Sequence, residues 1–223
     1  MDFLNTDFNL FEALIWLVVV FLSIAFHEYC HGWMAHQLGD DTAERAGRLT
    51  LNPISHIDPV GSVILPLMLL ILNSPFLFGW AKPVPYNPYN LRSPRWGGAL
   101  VALAGPLSNF MIAAFAAVIF RTLYSAGSGL PIPGTFDVGM QQFFALLAII
   151  NIGLGVFNLI PIPPLDGSKF LEAFLPRIGR QMFDALERLG PLFVFVIFIL
   201  IFQQIAPFLG KIIFGIFRFF VGI

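Results

Sequence analysis

The chain is predicted to be an all-α polytopic membrane protein, a helical bundle of about five to six transmembrane helices with a small membrane-edge β element and one re-entrant segment. Three observations predict it. Of 223 residues, 57% are hydrophobic, 11% are charged and 26 are phenylalanine, far from the usage of a water-soluble domain. Apolar runs recur at lengths near the ~20 residues with which a helix crosses a ~30 Å hydrocarbon core. Lysine and arginine gather in connections that a single orientation places on one side of a membrane. The 12 basic and 13 acidic residues nearly cancel, so bulk charge points to no nucleic-acid partner. The single cysteine, Cys30, excludes an intramolecular disulfide. With no repeat and no soluble second domain, residues 1–223 read as one integral-membrane domain.

The first helix is expected over about 10 to 37, with Glu12 as the one charge in its apolar part. The residues before it carry Asp2, Asp7 and Glu12 rather than lysines, and the apolar run leads straight into "HEYCH", so it reads as a retained helix and not a cleaved signal. The next apolar piece, "VGSVILPLMLLIL" at 60 to 72, is short and holds Pro66, which suits a re-entrant segment better than a full crossing. Further crossings are expected at about 97 to 120, 138 to 160 and 190 to 215; the Phe-rich stretch 192 to 223 crosses either once, interrupted at Pro207, or twice.

Between these runs, "GRLTLNP" (47 to 53) and "AKPVPYN" (81 to 87) alternate and carry prolines, as short strands at a sheet edge do. Such strands would let an extended peptide add as a further strand. Residues 168 to 189 alternate apolar and charged positions at helical spacing and are expected along the cytoplasmic interface.

Cytoplasmic loops carry the excess of lysine and arginine. With the N-terminus outside and 60 to 72 not crossing, Arg45, Arg48, Lys82, Arg92, Arg95, Lys169, Arg177, Arg180 and Arg188 all fall on the cytoplasmic side and Arg121 lies in an external loop. A crossing at 60 to 72 would split that set between both faces.

His27 and His31 are four apart, so on a helix both imidazoles leave the same face, able to hold one ion, with Glu28 beside them to handle protons. Histidine and glutamate at lipid depth are costly unless they face an interior and have partners. A tetrahedral zinc site with an open position needs a third protein ligand. Asp166 is the best candidate: it lies in "NLIPIPPLDG", where Pro161, Pro163 and Pro164 end the preceding helix and Asp-Gly suits a tight turn. At ~1.5 Å per residue, a helix entering near Leu10 has travelled roughly 25 Å by His27, and the hairpin topology brings Asp166 to that same, cytoplasmic side.

Together "HEYCH", "GWAKPVPYNP", "AGPLSN" and "NLIPIPPLDG" resemble the site-2 proteases, intramembrane zinc metalloproteases, in a compact prokaryotic form; the likeness covers roughly residues 10 to 190. The resemblance implies one zinc per chain on His27, His31 and Asp166, with Glu28 as catalytic base. It implies cleavage of single-span membrane proteins in or near their transmembrane segments, in the lipid bilayer of the cell (cytoplasmic) membrane, with the active site toward the cytoplasm. Asn109 and Asn158, amides in otherwise apolar helices, are candidate donors to substrate or oxyanion, or else polar glue between helices. His56, in "SHIDP", is a candidate to support the site from behind; His36 falls off the ligand face, and Cys30 reads as a small hydrophobe.

Two other classes compete. A metal transporter would line a path with further acidic or histidine residues, and 97 to 120 and 138 to 160 contain none. A non-catalytic scaffold would have no use for Glu28.

Overall fold

The computed structural model describes residues 10–71, 79–126, 136–188 and 190–222. Its helices are α1 (Leu10–Gln37), α2 (Thr42–Arg45), α3 (Leu65–Ile71), α4 (Pro94–Ala126), α5 (Phe136–Asn158), α6 (Asp166–Glu172), α7 (Arg177–Arg188) and α8 (Gly190–Val221). Short 3-10 turns at Pro53–His56 and Pro88–Asn90 and a π-helical turn at Pro59–Ile64 complete the set.

Among the described residues, four helices are long and apolar enough to cross a membrane: Ile15–Gln37, Pro94–Tyr124, Gly139–Asn158 and Gln204–Val221. This is fewer than the five to six expected, for two reasons. The π-turn and α3 together run only from Pro59 to Ile71, which at ~1.5 Å per residue gives about 20 Å, short of a ~30 Å core. And α8 continues through Pro207 as a single helix of 32 residues.

The start of the short apolar segment is hydrogen-bonded to Trp80, which follows it in the chain. The Trp80 N–H donates to Gly61 O at 3.2 Å, and the Ser62 hydroxyl donates to Trp80 O at 2.8 Å. The Asp58 carboxylate accepts from the N–H groups of Val60 and Gly61 and so caps the segment's start. A side chain at Gly61 would run into the Trp80 indole, so the return of the chain to this point requires glycine there.

Helix α4 is the hub, packed against α1, α5, α6 and α8. Close approach is made possible by small residues: Ala113, Ala116, Ala117 and Ala148 are fully buried. The opposite stripe, Leu107, Met111, Phe115 and Val118, is exposed at helical spacing, as a lipid-facing surface should be. One apolar cluster joins Ala116, Ala117, Ala148 and Val221 with Phe120, Phe144 and Phe217; a second, at the other end of α4, joins Ala35, Leu91 and Val101 with Met34, Leu38 and Tyr86.

The basic connections meet at the second end. Arg48 Nη2 donates to Lys82 O at 2.8 Å, the Arg92 N–H to Leu38 O at 2.9 Å, and Arg95 Nε to Ala173 O at 2.5 Å. Arg121 sits at the first end, close enough to Gly222 that a side chain there would lie 2.9 Å from Arg121 Nη1. Arg218, in the last turn of α8, belongs to that end too.

The expected membrane-edge strands are not formed; no strand occurs among the described residues. Residues 47–53 lead into the 3-10 turn at Pro53–His56, and 79–87 run without regular structure. The reason lies in the donors. Pro83 and Pro85 have none, while the N–H groups of Trp80, Lys82 and Val84 go to Gly61 O, His56 O and the Glu28 carboxylate. Segment 79–87 is therefore a strap bound across the helices, its amides at Trp80, Lys82, Val84 and Asn87 engaged by other parts of the chain.

Candidate metal centre

His27 and His31 lie one turn apart on α1, and Asp166 opens α6. The Asp166 Oδ2 atom is 3.1 Å from His27 Nε2 and 3.2 Å from His31 Nε2, and the two Nε2 atoms are 2.9 Å apart. The rings stand edge to face, their planes at 85°.

Each ring's other nitrogen is held from behind. His27 Nδ1 lies 2.6 Å from Asn109 Oδ1, and His31 Nδ1 lies 2.6 Å from the Val101 carbonyl oxygen. A carbonyl only accepts, so His31 carries its proton on Nδ1 and turns the bare Nε2 lone pair inward. The same tautomer on His27 aims a second lone pair at the first.

Two acceptor nitrogens and a carboxylate oxygen that is buried without a hydrogen-bond partner form a donor set suited to a cation. The separations fit zinc: bonds of ~2.0–2.1 Å in tetrahedral geometry place ligand atoms about 3.3 Å apart. The cradle is shaped by Gly105, where any side chain would strike both imidazoles, a methyl carbon falling 2.6 Å from His27 Nε2. This explains the glycine of "AGPLSN" through space rather than through backbone conformation.

The local sequence around Asp166 works differently from the turn expected of Asp-Gly. Asp166 is the first residue of α6, and Gly167 is buried where a side chain would overlap the Leu159 carbonyl and lie 2.7 Å from Ile160 O. The glycine lets the proline-rich segment fold back beneath the helix and carry the aspartate to the histidines.

Glu28 is not part of the trio. Its Oε2 accepts the Val84 N–H at 2.8 Å, which ties the side chain to the strap. Val84 is itself buried and packs on Gly32, one turn further along α1.

The remaining candidates are placed as follows. Asn109 is fully buried; its Oδ1 faces His27 and its Nδ2 donates to Asn151 Oδ1 at 2.8 Å, so it stands behind a ring and not before an oxyanion. One N–H of Asn158 goes to Leu154 O at 3.0 Å. His56 is buried and its Nε2 donates to Thr50 O at 2.9 Å, bracing the turn whose carbonyl receives Lys82. His36 pairs with Asp41 at 3.0 Å at the exposed end of α1, off the ligand face, and Cys30 is half-buried.

Sequence reasoning missed Asn151 and Ser23, which continue the chain behind Asn109. The signal was present, since Asn151 is an amide in an apolar helix like the two that were singled out. It also missed Asp40, fully buried, whose Oδ2 accepts the Asn87 N–H at 2.6 Å and whose Oδ1 accepts Asn90 Nδ2 at 2.8 Å, anchoring the far end of the strap.

Comparison with known proteins identifies the family. The family model described as peptidase family M50 matches residues 133–202, the part that supplies Asp166. The provisionally named zinc metalloprotease YwhC of Bacillus subtilis is 38% identical over 186 residues, which cover 83% of this chain and 78% of that protein. The chain belongs to peptidase family M50. This places it among the zinc metalloproteases, as the likeness to site-2 proteases implied. Another M50 relative, the provisionally named zinc metalloprotease Rip2 of Mycobacterium tuberculosis, is 32% identical over 202 residues, 90% of this chain and 69% of that one. A Methanocaldococcus jannaschii protein of the same description is 29% identical over 185 residues, 79% of this chain and 83% of its own length. No solved structure matches the chain.

Proposed function

We propose that this M50 chain is an intramembrane protease that hydrolyses peptide bonds in or near the transmembrane segments of single-span membrane proteins. His27, His31 and Asp166 would hold one zinc, and Glu28 would be the catalytic base. The observation that carries this reading is the convergence of two imidazole lone pairs and one buried carboxylate oxygen, 2.9–3.2 Å apart, beside a glutamate that is not itself a ligand.

A zinc ion held by these three residues would supply Lewis acidity, to acidify water toward pKa ~7 and to polarise a carbonyl. The protein's own part is positional. Asn109 and the Val101 carbonyl keep the two rings turned inward. With Oε2 occupied by Val84, Glu28 keeps Oε1 for the proton it takes from water and later passes to the leaving amine. Asn158 would donate to the substrate carbonyl oxygen as negative charge develops.

The basic connections gathered at one end of the bundle support a cytoplasmic placement for that end and a site reached from it, in the cell membrane. The meeting of Gly61 and Trp80 supports a re-entrant path for 60 to 72, entering and leaving on the same side. The exposed apolar face of α7, Ile178, Met182 and Leu186, suits a helix lying along that interface.

The test is Glu28→Gln in purified, detergent-solubilised protein with a single-span substrate. The reading requires zinc content near that of the wild type and cleavage lost; a variant that still cleaves removes Glu28 from the mechanism.

A further inference from the structure

We propose that Asn151 is a positioning residue for the metal centre: it fixes the orientation of the Asn109 amide, and through it the tautomer in which His27 offers Nε2 to zinc. This rests on the zinc-centre reading above and extends it three residues deeper into the bundle.

The orientation is forced by two backbone carbonyls. Asn151 Nδ2 lies 2.9 Å from Leu147 O and 2.8 Å from Ser23 Oγ. Leu147 O can only accept, so the atom facing it is the amide nitrogen. The Ser23 hydroxyl gives its proton to Val19 O at 2.7 Å and is left as an acceptor for the second Asn151 N–H. Asn151 Oδ1 must then be the atom 2.8 Å from Asn109, which makes the Asn109 atom there its Nδ2. Asn109 Oδ1 is thereby turned to His27 Nδ1 at 2.6 Å, and that nitrogen must carry the proton. Nε2 is left bare, toward His31 and Asp166.

Burial gives the chain its force. Ser23 is 2%, Asn109 and Asn151 are 0% and His27 is 6% exposed, so water is not at hand to satisfy a flipped amide. An apolar residue at 151 would leave the Asn109 amide free to turn its NH2 toward His27, which favours the tautomer with the proton on Nε2, and that nitrogen then cannot ligate.

The experiment measures zinc affinity of the full-length protein in detergent by competition with a chromophoric chelator, alongside the thermal midpoint of the metal-free protein. Asn151→Leu is expected to weaken zinc binding by about tenfold or more, the scale of partners behind a metal ligand. Asn151→Asp, which in its protonated form can still donate to Leu147 O and accept from Asn109, is expected to stay within about threefold of wild type. Ile152→Ala, a fully buried neighbour, controls for packing: it should lower the thermal midpoint and leave zinc affinity unchanged.

Wild-type affinity in Asn151→Leu overturns the proposal, as does a tenfold loss in folded Asn151→Asp, which decides the matter even if the leucine variant does not fold. Affinity that tracks the thermal midpoint across all three variants makes Asn151 merely structural and also overturns it. Failure of the underlying reading looks different: Asp166→Ala would then bind zinc as tightly as wild type.

Discussion

The backbone N–H of Val84 meets Glu28 Oε2 at 2.8 Å, while the Val84 side chain packs on Gly32 of the same helix. The carboxylate proposed as the base, with several rotatable bonds, is thus held by a main-chain donor contributed from more than fifty positions away. Val84→Pro removes that donor. Zinc content should be unchanged, and cleavage should fall, by up to ~10²-fold if positioning carries much of the base's contribution. Val84→Ala, which keeps the N–H, should retain most activity; equal rates in the two variants would show that the bond is idle.

Gly105 leaves no room for a side chain against the imidazoles. Gly105→Ala should push the rings apart and lower both zinc occupancy, read by metal analysis, and cleavage. The variant should still fold, because alanine is the better helix former. Full zinc occupancy in the alanine variant would mean that the cradle is looser than the geometry indicates.

Ion binding to the folded state alone raises its stability by mass action. Adding zinc to chelator-stripped protein should therefore raise the thermal midpoint, by about 3 kcal/mol of stabilisation at a hundredfold excess over Kd. Asp166→Ala, which removes the oxygen shared by both histidines, should show little or no such rise.

Asp40 offers a pH test. Burial opposes its ionisation, but hydrogen bonds from Thr42, Asn87 and Asn90 outweigh that and hold its pKa below the ordinary carboxylate value. A carboxyl depressed in the folded state contributes stability that is fully present above its unfolded pKa of ~3.9 and is lost as pH falls through the folded value. Asp40→Ala should cost about 3 kcal/mol at neutral pH through unpaired buried donors. The gap in thermal midpoint between wild type and variant should hold from pH 7 to about pH 5 and narrow below about pH 4. A gap that widens on acidification would contradict the assignment.

Much of this was legible in the chain itself. Because a hydrocarbon layer sets a length that composition must meet, the lengths of the apolar runs mark it as a bundle of membrane helices, though the expected count of five to six exceeds the four found long and apolar enough among the described residues. A spacing of four pointed to His27 and His31 as a pair and the prolines that end α5 pointed to Asp166, and the three side chains do converge. Segments 47–53 and 81–87 misled, because alternation with prolines describes any extended chain. Whether its amides pair with a strand or are used up by Gly61, His56 and Glu28 depends on what lies opposite. Asn109 was left open between an oxyanion donor and polar glue between helices, and its bonds to His27 and Asn151 are of the second kind; an amide in an apolar helix announces a buried partner without saying which one.

By itself the sequence determined the apolar helices and the candidate ligand set, since these follow from local properties: apolar length, helical period and the donor atoms each side chain carries. Only the tertiary structure decided which way each donor faces. The Val84 amide on Glu28, the Val101 carbonyl on His31, and the run from Leu147 through Asn151 and Asn109 to His27 join residues from separate helices and loops. Hydrogen bonds are directional and short-ranged, so their pattern exists only once those elements have packed.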